Sequence, residues 1–285
     1  MISRSITGTR TAVAFLAILQ LTGCALIAPK PPAPAEPMPA EPAVQAARAL
    51  ELTRALAQRE RGLDSIETSA VMEYSAPGRH LKAREQLAAR RPQSLRVEAM
   101  SPFGVAVVVA ATDSQLQIFR ASDNTLIRGA ATAGTLDRFA QIPMAPGPAV
   151  ALLMGLAPSA ELAERPPDSV TTQGDLIVAV YRVPGGGTIE LGFAGKDLAM
   201  VRKRTDDGQV GYEVRYSDFR DIGGLMMAYR IDAEFPSEQT SVKFRYQRPI
   251  VNGAIADSAF VLTPGPATRQ IDLDHAALSP TALSN

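Results

Sequence analysis

The second half of the chain alternates. Tyr212, Val214 and Tyr216 are separated by Glu213 and Arg215. Tyr229, Ile231, Ala233 and Phe235 are separated by Arg230, Asp232 and Glu234, and Val242, Phe244 and Tyr246 by Lys243 and Arg245. A two-residue period sends successive side chains to opposite faces of a strand. One face is then apolar and the other charged, as in an antiparallel sheet that is wet on one side. Turn sequences fall between the runs, at Pro184-Gly185-Gly186-Gly187, Gly195-Lys196-Asp197 and Asp206-Asp207-Gly208. These are the residues that tight hairpin connections require.

The pattern predicts strands over 176–183, 188–194, 198–205, 210–217, 226–235 and 240–249. An earlier group is expected over 94–100, 105–111, 115–121 and 124–130. Residues 43–61 are rich in Ala, Leu, Arg, Gln and Glu, with Leu52 and Leu56 one turn apart and Gly62 as a stop, which predicts a helix. Two shorter helices are expected over 135–142 and 148–156. The second is apolar nearly all round and should be covered on most sides. Roughly eleven or twelve strands follow from this reading, and strongly twisted open sheets of more than ~10 strands curl or split. With so few helices, the fold class is mainly β: a curved antiparallel sheet, an incomplete barrel with helices across its mouth.

The N-terminus reads as a targeting segment. Arg4 and Arg10 precede an apolar run over 11–21, about half the ~20 residues that span a bilayer. Leu21-Thr22-Gly23-Cys24 follows, and Cys24 is the single cysteine of the chain. This resembles the lipobox of bacterial lipoproteins, which implies acylation of Cys24. Ala25 rather than Asp comes next, which favours the outer membrane. From 29 to 42 half the residues are Pro. Such a stretch tends to polyproline II, and 24–42 could set the folded part up to roughly 55 Å from the lipid. The expected organisation is a signal peptide (1–23), a tether (24–42), one folded domain (43–266) and a loose C-terminal tail (267–285).

Lys plus Arg and Asp plus Glu both number 29, which argues against a nucleic-acid partner held by bulk positive charge. Two His and one Cys leave little for a metal site, and no metal or other cofactor is expected. His80 lies in a polar stretch and reads as a solvated loop residue. His275, after Asp272 and Asp274, falls in the expected tail. Asp206-Asp207 is a turn, and Gly185-Gly186-Gly187 does not open a helix, as a phosphate cradle would need. No nucleophile stands with a partner that would activate it, so the chain is expected not to be an enzyme.

The order of elements resembles the LolA/LolB-like family of lipoprotein-sorting proteins over about residues 43–265. Two motifs support the likeness. Ser101-Pro102-Phe103-Gly104 lies between two predicted strands, where LolB-type proteins carry an exposed Pro-Leu-Gly loop. Leu152-Leu153-Met154-Gly155-Leu156-Ala157-Pro158 is similar to the helix end that precedes the second strand series. The resemblance implies an incomplete β-barrel with a helical lid over an apolar cavity. It implies an outer-membrane, periplasm-facing lipoprotein, anchored through Cys24, that binds acyl chains of lipoproteins or lipids and receives them from a periplasmic carrier protein. Pro102, Phe103 and Gly104 would form the loop that meets membrane or acyl chain. Leu95, Val97, Val107, Val109, Ile118, Leu152, Leu153, Leu156, Tyr212, Val214, Tyr229, Ile231 and Phe244 are the candidate cavity lining; the alternative for any one of them is ordinary core packing. The alternative function is a non-enzymatic envelope scaffold or sensor that binds a protein.

Overall fold

The computed structural model describes residues 42–157 and 161–274. The signal segment, Cys24, the tether up to residue 41, Pro158, His275 and the rest of the tail lie outside the described residues.

Helix α1 (Pro42–Arg61) opens the fold. Ala49, Leu52, Thr53, Leu56, Ala57 and Glu60 are buried, at steps of three and four that place them on one face. That face packs on strands late in the chain, and the Thr53 hydroxyl lies 2.9 Å from that of Tyr181. Six strands follow: β1 (Ser65–Ala76), β2 (Arg79–Arg90), β3 (Ser94–Ser101), β4 (Gly104–Ala111), β5 (Gln115–Arg120) and β6 (Thr125–Ala130). Next are two eight-residue helices, α2 (Ala133–Ala140) and α3 (Pro146–Leu153). The second series is β7 (Ser169–Gln173), β8 (Leu176–Arg182), β9 (Thr188–Ala194), β10 (Asp197–Arg204), β11 (Val210–Ile222), β12 (Leu225–Phe235), β13 (Thr240–Tyr246), β14 (Ile250–Val251) and β15 (Arg269–Asp272).

All of these strands form one open, curved 15-stranded sheet, in the order β15-β6-β5-β4-β3-β2-β1-β13-β12-β11-β10-β9-β8-β7, with β14 paired to β1. Neighbours are antiparallel apart from β15, which runs parallel to β6. The two strand series meet where β1 pairs β13, with Met72 opposite Phe244 and Tyr74 opposite Val242. Inner-face residues and the three helices make one apolar core. The outer face is polar, and across β9, β10 and β11 it carries a salt-bridge ladder. Arg202 meets Glu190 at 2.6 Å and Glu213 at 2.5 Å.

Several expectations are corrected. The strands number 15 rather than eleven or twelve. Strands β1 and β2, twelve residues each, occupy a region in which no strand was delimited. His80 is exposed as expected, but it sits in β2 opposite Ser75 rather than in a loop. The short helices begin two residues before their expected starts. The Thr132 side chain accepts a hydrogen bond from the Thr135 amide and so starts α2 at Ala133, and Pro146 opens α3. Strand β11 runs to Ile222, past the expected end at 217; its alternation breaks at Asp218, where φ is +56°. The apolar residue beyond that point is Phe219, out of phase with Tyr216.

The tail boundary also moves. Residues 269–272, expected in a loose tail, pair with β6, Gln270 lying opposite Leu126. Leu273 is buried and stands against Gly129, where an added Cβ would sit 3.3 Å from it. Leu273→Ala should therefore lower stability by about 2 kcal/mol. Urea denaturation checks this; an unchanged midpoint would show that the segment contributes nothing to the fold.

Candidate functional site

The concave face of the sheet is not filled. Between it and the two short helices lies a cavity of about 250 Å³. That exceeds the ~150 Å³ apolar cavity that holds a benzene molecule and lies just under the ~300 Å³ at which ligand pockets begin. Strands β1 to β4 supply Met72, Tyr74, Arg79, Leu81, Glu85, Leu95, Val97, Ala99, Val107 and Val109. Strands β11 to β13 supply Val214, Ile231, Ala233, Phe235, Val242 and Phe244. The roof is Leu136, Phe139 and Ala140 of α2, Ile142 and Met144 of the connection, and Ala149, Leu152 and Leu153 of α3. Of the lining residues, Arg79 and Leu81 are exposed, which puts the mouth at the start of β2.

Nine of the expected lining residues are there: Leu95, Val97, Val107, Val109, Leu152, Leu153, Val214, Ile231 and Phe244. Four are not. Ile118 and Leu156, each 1% exposed, are packed in the core. Tyr212 stands beside Phe235, ring centroids 6.4 Å apart, and burial pushes its phenol up to about 12. Tyr229 is covered by the Arg220 guanidinium, 4.3 Å from its ring centroid. It lies opposite the irregular Asp218, where the inward phase of β11 is lost.

The roof is tied to the sheet by three phenols. Tyr74 donates to the Ala140 carbonyl at 2.9 Å, Tyr216 to that of Leu152 at 3.0 Å, and Tyr246 to that of Leu153 at 2.7 Å. These carbonyls belong to the last turns of α2 and α3, where intrahelical partners run out. Burial raises the pKa of all three phenols and keeps them donors.

The expected loop lies at the tip of the β3–β4 hairpin. Ser101 Oγ accepts from the Phe103 amide at 3.2 Å and donates to the Gly104 carbonyl at 3.0 Å. Gly104 has φ +116°, a conformation that suits a residue without Cβ. Phe103 is 100% exposed and does not fold back on the sheet. Ser101 pairs with Gly104, so Pro102 and Phe103 form the turn itself, and Met100 just before it pairs with Arg84 of β2. Leu81 and Met100 are themselves exposed apolar residues.

Sequence reasoning missed Glu85, which lies in the cavity wall at 1% exposure. Neither of its carboxylate oxygens has a hydrogen-bond partner among the described residues. Burial pushes its carboxyl up to about 7 from the ordinary 4.5. Among the described residues no group of His, Cys, Asp and Glu is placed to hold a metal ion, and no helix is long and apolar enough to cross a membrane.

No protein-family model and no curated protein matches the chain. Solved structures do. A LolA superfamily protein from Nitrosomonas europaea aligns with TM-score 0.50 and 16% identity, over 76% of this chain and 97% of that one. A DUF1329 family protein from Desulfovibrio piger aligns with TM-score 0.53 and 8% identity, over 76% and 97%. At these identities the likeness is one of fold: this chain has a LolA-like architecture.

The raised carboxyl makes stability depend on pH. Glu85 holds its proton up to about pH 7 when folded and releases it near 4.5 when unfolded. Between these values the native state binds more protons, so stability is full below pH 4.5 and falls as pH rises to about 7. The loss is on the order of 3 kcal/mol. Glu85→Gln should abolish that part of the slope. Urea melts of both proteins at pH 4.5, 6 and 8 measure it; parallel slopes would contradict the assignment.

Proposed function

We propose that this protein is a lipid-binding lipoprotein of the bacterial outer membrane, facing the periplasm and anchored through acylated Cys24. It takes acyl chains of lipoproteins or lipids into its cavity in transfer or insertion, supplied by a periplasmic carrier protein, and it acts by binding rather than catalysis. The observation that carries this reading is the hollow apolar interior, lined by apolar side chains and with exposed Arg79 and Leu81 at its mouth. Apolar area removed from water is worth ~25 cal/mol per Å², so an acyl chain entering this space binds without directional contacts. The LolA-like architecture and the lipobox-like sequence at 21–24 support the same reading. Phe103, fully exposed at the tip of the β3–β4 hairpin, would enter the bilayer surface.

The cavity is small, about 250 Å³, so long or multiple chains require the roof of α2 and α3 to move. Val97→Phe should fill the space between β3 and the roof and weaken uptake of a fluorescent acyl probe by about tenfold. The circular dichroism spectrum should stay that of the wild type. Undiminished uptake would place the chains elsewhere. In a Cys24→Ala chain, which removes the anchor from the measurement, Phe103→Glu should reduce vesicle binding by about tenfold. Equal sedimentation with vesicles would show that the loop does not touch the membrane.

A further inference from the structure

Glu85 is out of place in an acyl cavity. Its neighbours across the sheet are Ala70 on β1 and Ala99 on β3, too small to offer it a hydrogen bond from their side chains. The other titratable groups in the wall are Arg79 and Tyr74, and both are engaged. The Arg79 guanidinium lies 5.5 Å from the Tyr74 ring centroid, and the Tyr74 hydroxyl donates to Ala140. From β3, β4, β11, β12, β13 and both roof helices, the residues facing the cavity are apolar. A buried carboxylate with neither oxygen satisfied is costly, and breaking such a group's pairing costs more than the pairing yields in water. Among the described residues Glu85 is the carboxylate with both oxygens buried and without a partner.

We propose that Glu85 is the polar anchor of the cavity, accepting a hydrogen bond from a hydroxyl or amide N–H carried on the hydrophobic part of the bound lipid. This rests on the acyl-binding reading above and narrows it. The cavity selects lipids whose chain region bears a donor over plain esters and over free carboxylates, which Glu85 repels. The unpartnered geometry supplies the acceptor, and the carboxyl held near neutrality by burial ties affinity to pH. A donor prefers the ionised form, so such a lipid binds more tightly as pH rises through about 7.

Displacement of a fluorescent acyl probe tests this with four ligands of one chain length: dodecanol (hydroxyl donor), lauramide (amide donor), methyl laurate (no donor) and laurate (carboxylate). At pH above the Glu85 transition, dodecanol, lauramide or both should bind at least about tenfold more tightly than methyl laurate, the fold-change of one hydrogen bond to a charged acceptor. Which of the two does so identifies the donor. Glu85→Leu should bring that ratio to near one and remove the pH dependence, while methyl laurate still binds. Glu85→Gln, which keeps the shape and an acceptor, should retain part of the preference and lose the pH dependence. Equal binding of dodecanol, lauramide and methyl laurate by the wild type, or a preference that survives in Glu85→Leu, overturns the anchor and leaves the acyl cavity standing. Failure of all four ligands to displace the probe, or failure of the probe to bind, overturns the acyl-cavity reading and the anchor with it.

Discussion

Three phenolic hydrogen bonds decide where the roof sits, and the rest of the molecule is arranged around that placement. Helices of eight residues are too short to be stable alone, since isolated helices below ~12–15 residues are marginal in water. Here Tyr74, Tyr216 and Tyr246 reach up from β1, β11 and β13 and donate to carbonyls in the last turns of α2 and α3. The bonds hold the helices at the height of a tyrosine side chain above the strands. Smaller side chains, among them Val97, Val109, Ala99 and Ala233, line the space beneath the roof.

The same arrangement explains how an interior can be both ordered and hollow. Close packing is the norm in proteins, and each void forgoes dispersion contacts. The cost is tolerable here because the rest of the core is packed: Ile66, Leu116, Ile118, Leu191 and Phe193 are almost fully buried. On the far side of the sheet, Arg202 is clamped between Glu190 and Glu213, and Arg204 also pairs with Glu190. That ladder crosses three strands and stiffens the outer face without drawing on the core.

Much of this could be read from the residues. The first part of β11, the second half of β12 and all of β13 alternate in sequence because one face is wet, and the lining contributed by Val214, Ile231 and Phe244 follows from their phase. The reading failed where a local event broke the period. In β2 the run Arg79-His80-Leu81-Lys82-Ala83-Arg84-Glu85 is charged on both faces, and its inward carboxylate has the appearance of a solvated residue. Glu85 was therefore invisible to patterning, although an acidic residue on the apolar side of a strand is the signal that would have found it. Opposite the left-handed Asp218, Tyr229 is covered by Arg220 instead of lining the cavity. Ile118 and Leu156 were misplaced for another reason: periodicity tells which side a residue faces, and not whether a void or a neighbour awaits it there.

The parallel strand β15 closes the account of the sheet. An open sheet of this length ends in two rows of unpaired amides and carbonyls, and such rows template the addition of foreign strands. At one margin the chain returns on itself: Arg269–Asp272 lies along β6 and Leu273 locks it down. At the other, β7 is a five-residue strand of mostly Ser, Thr and Gln, too brief and polar to be an attractive template. The two edges that remain are thus four- and five-residue strands, short stretches on which a foreign strand finds few backbone partners.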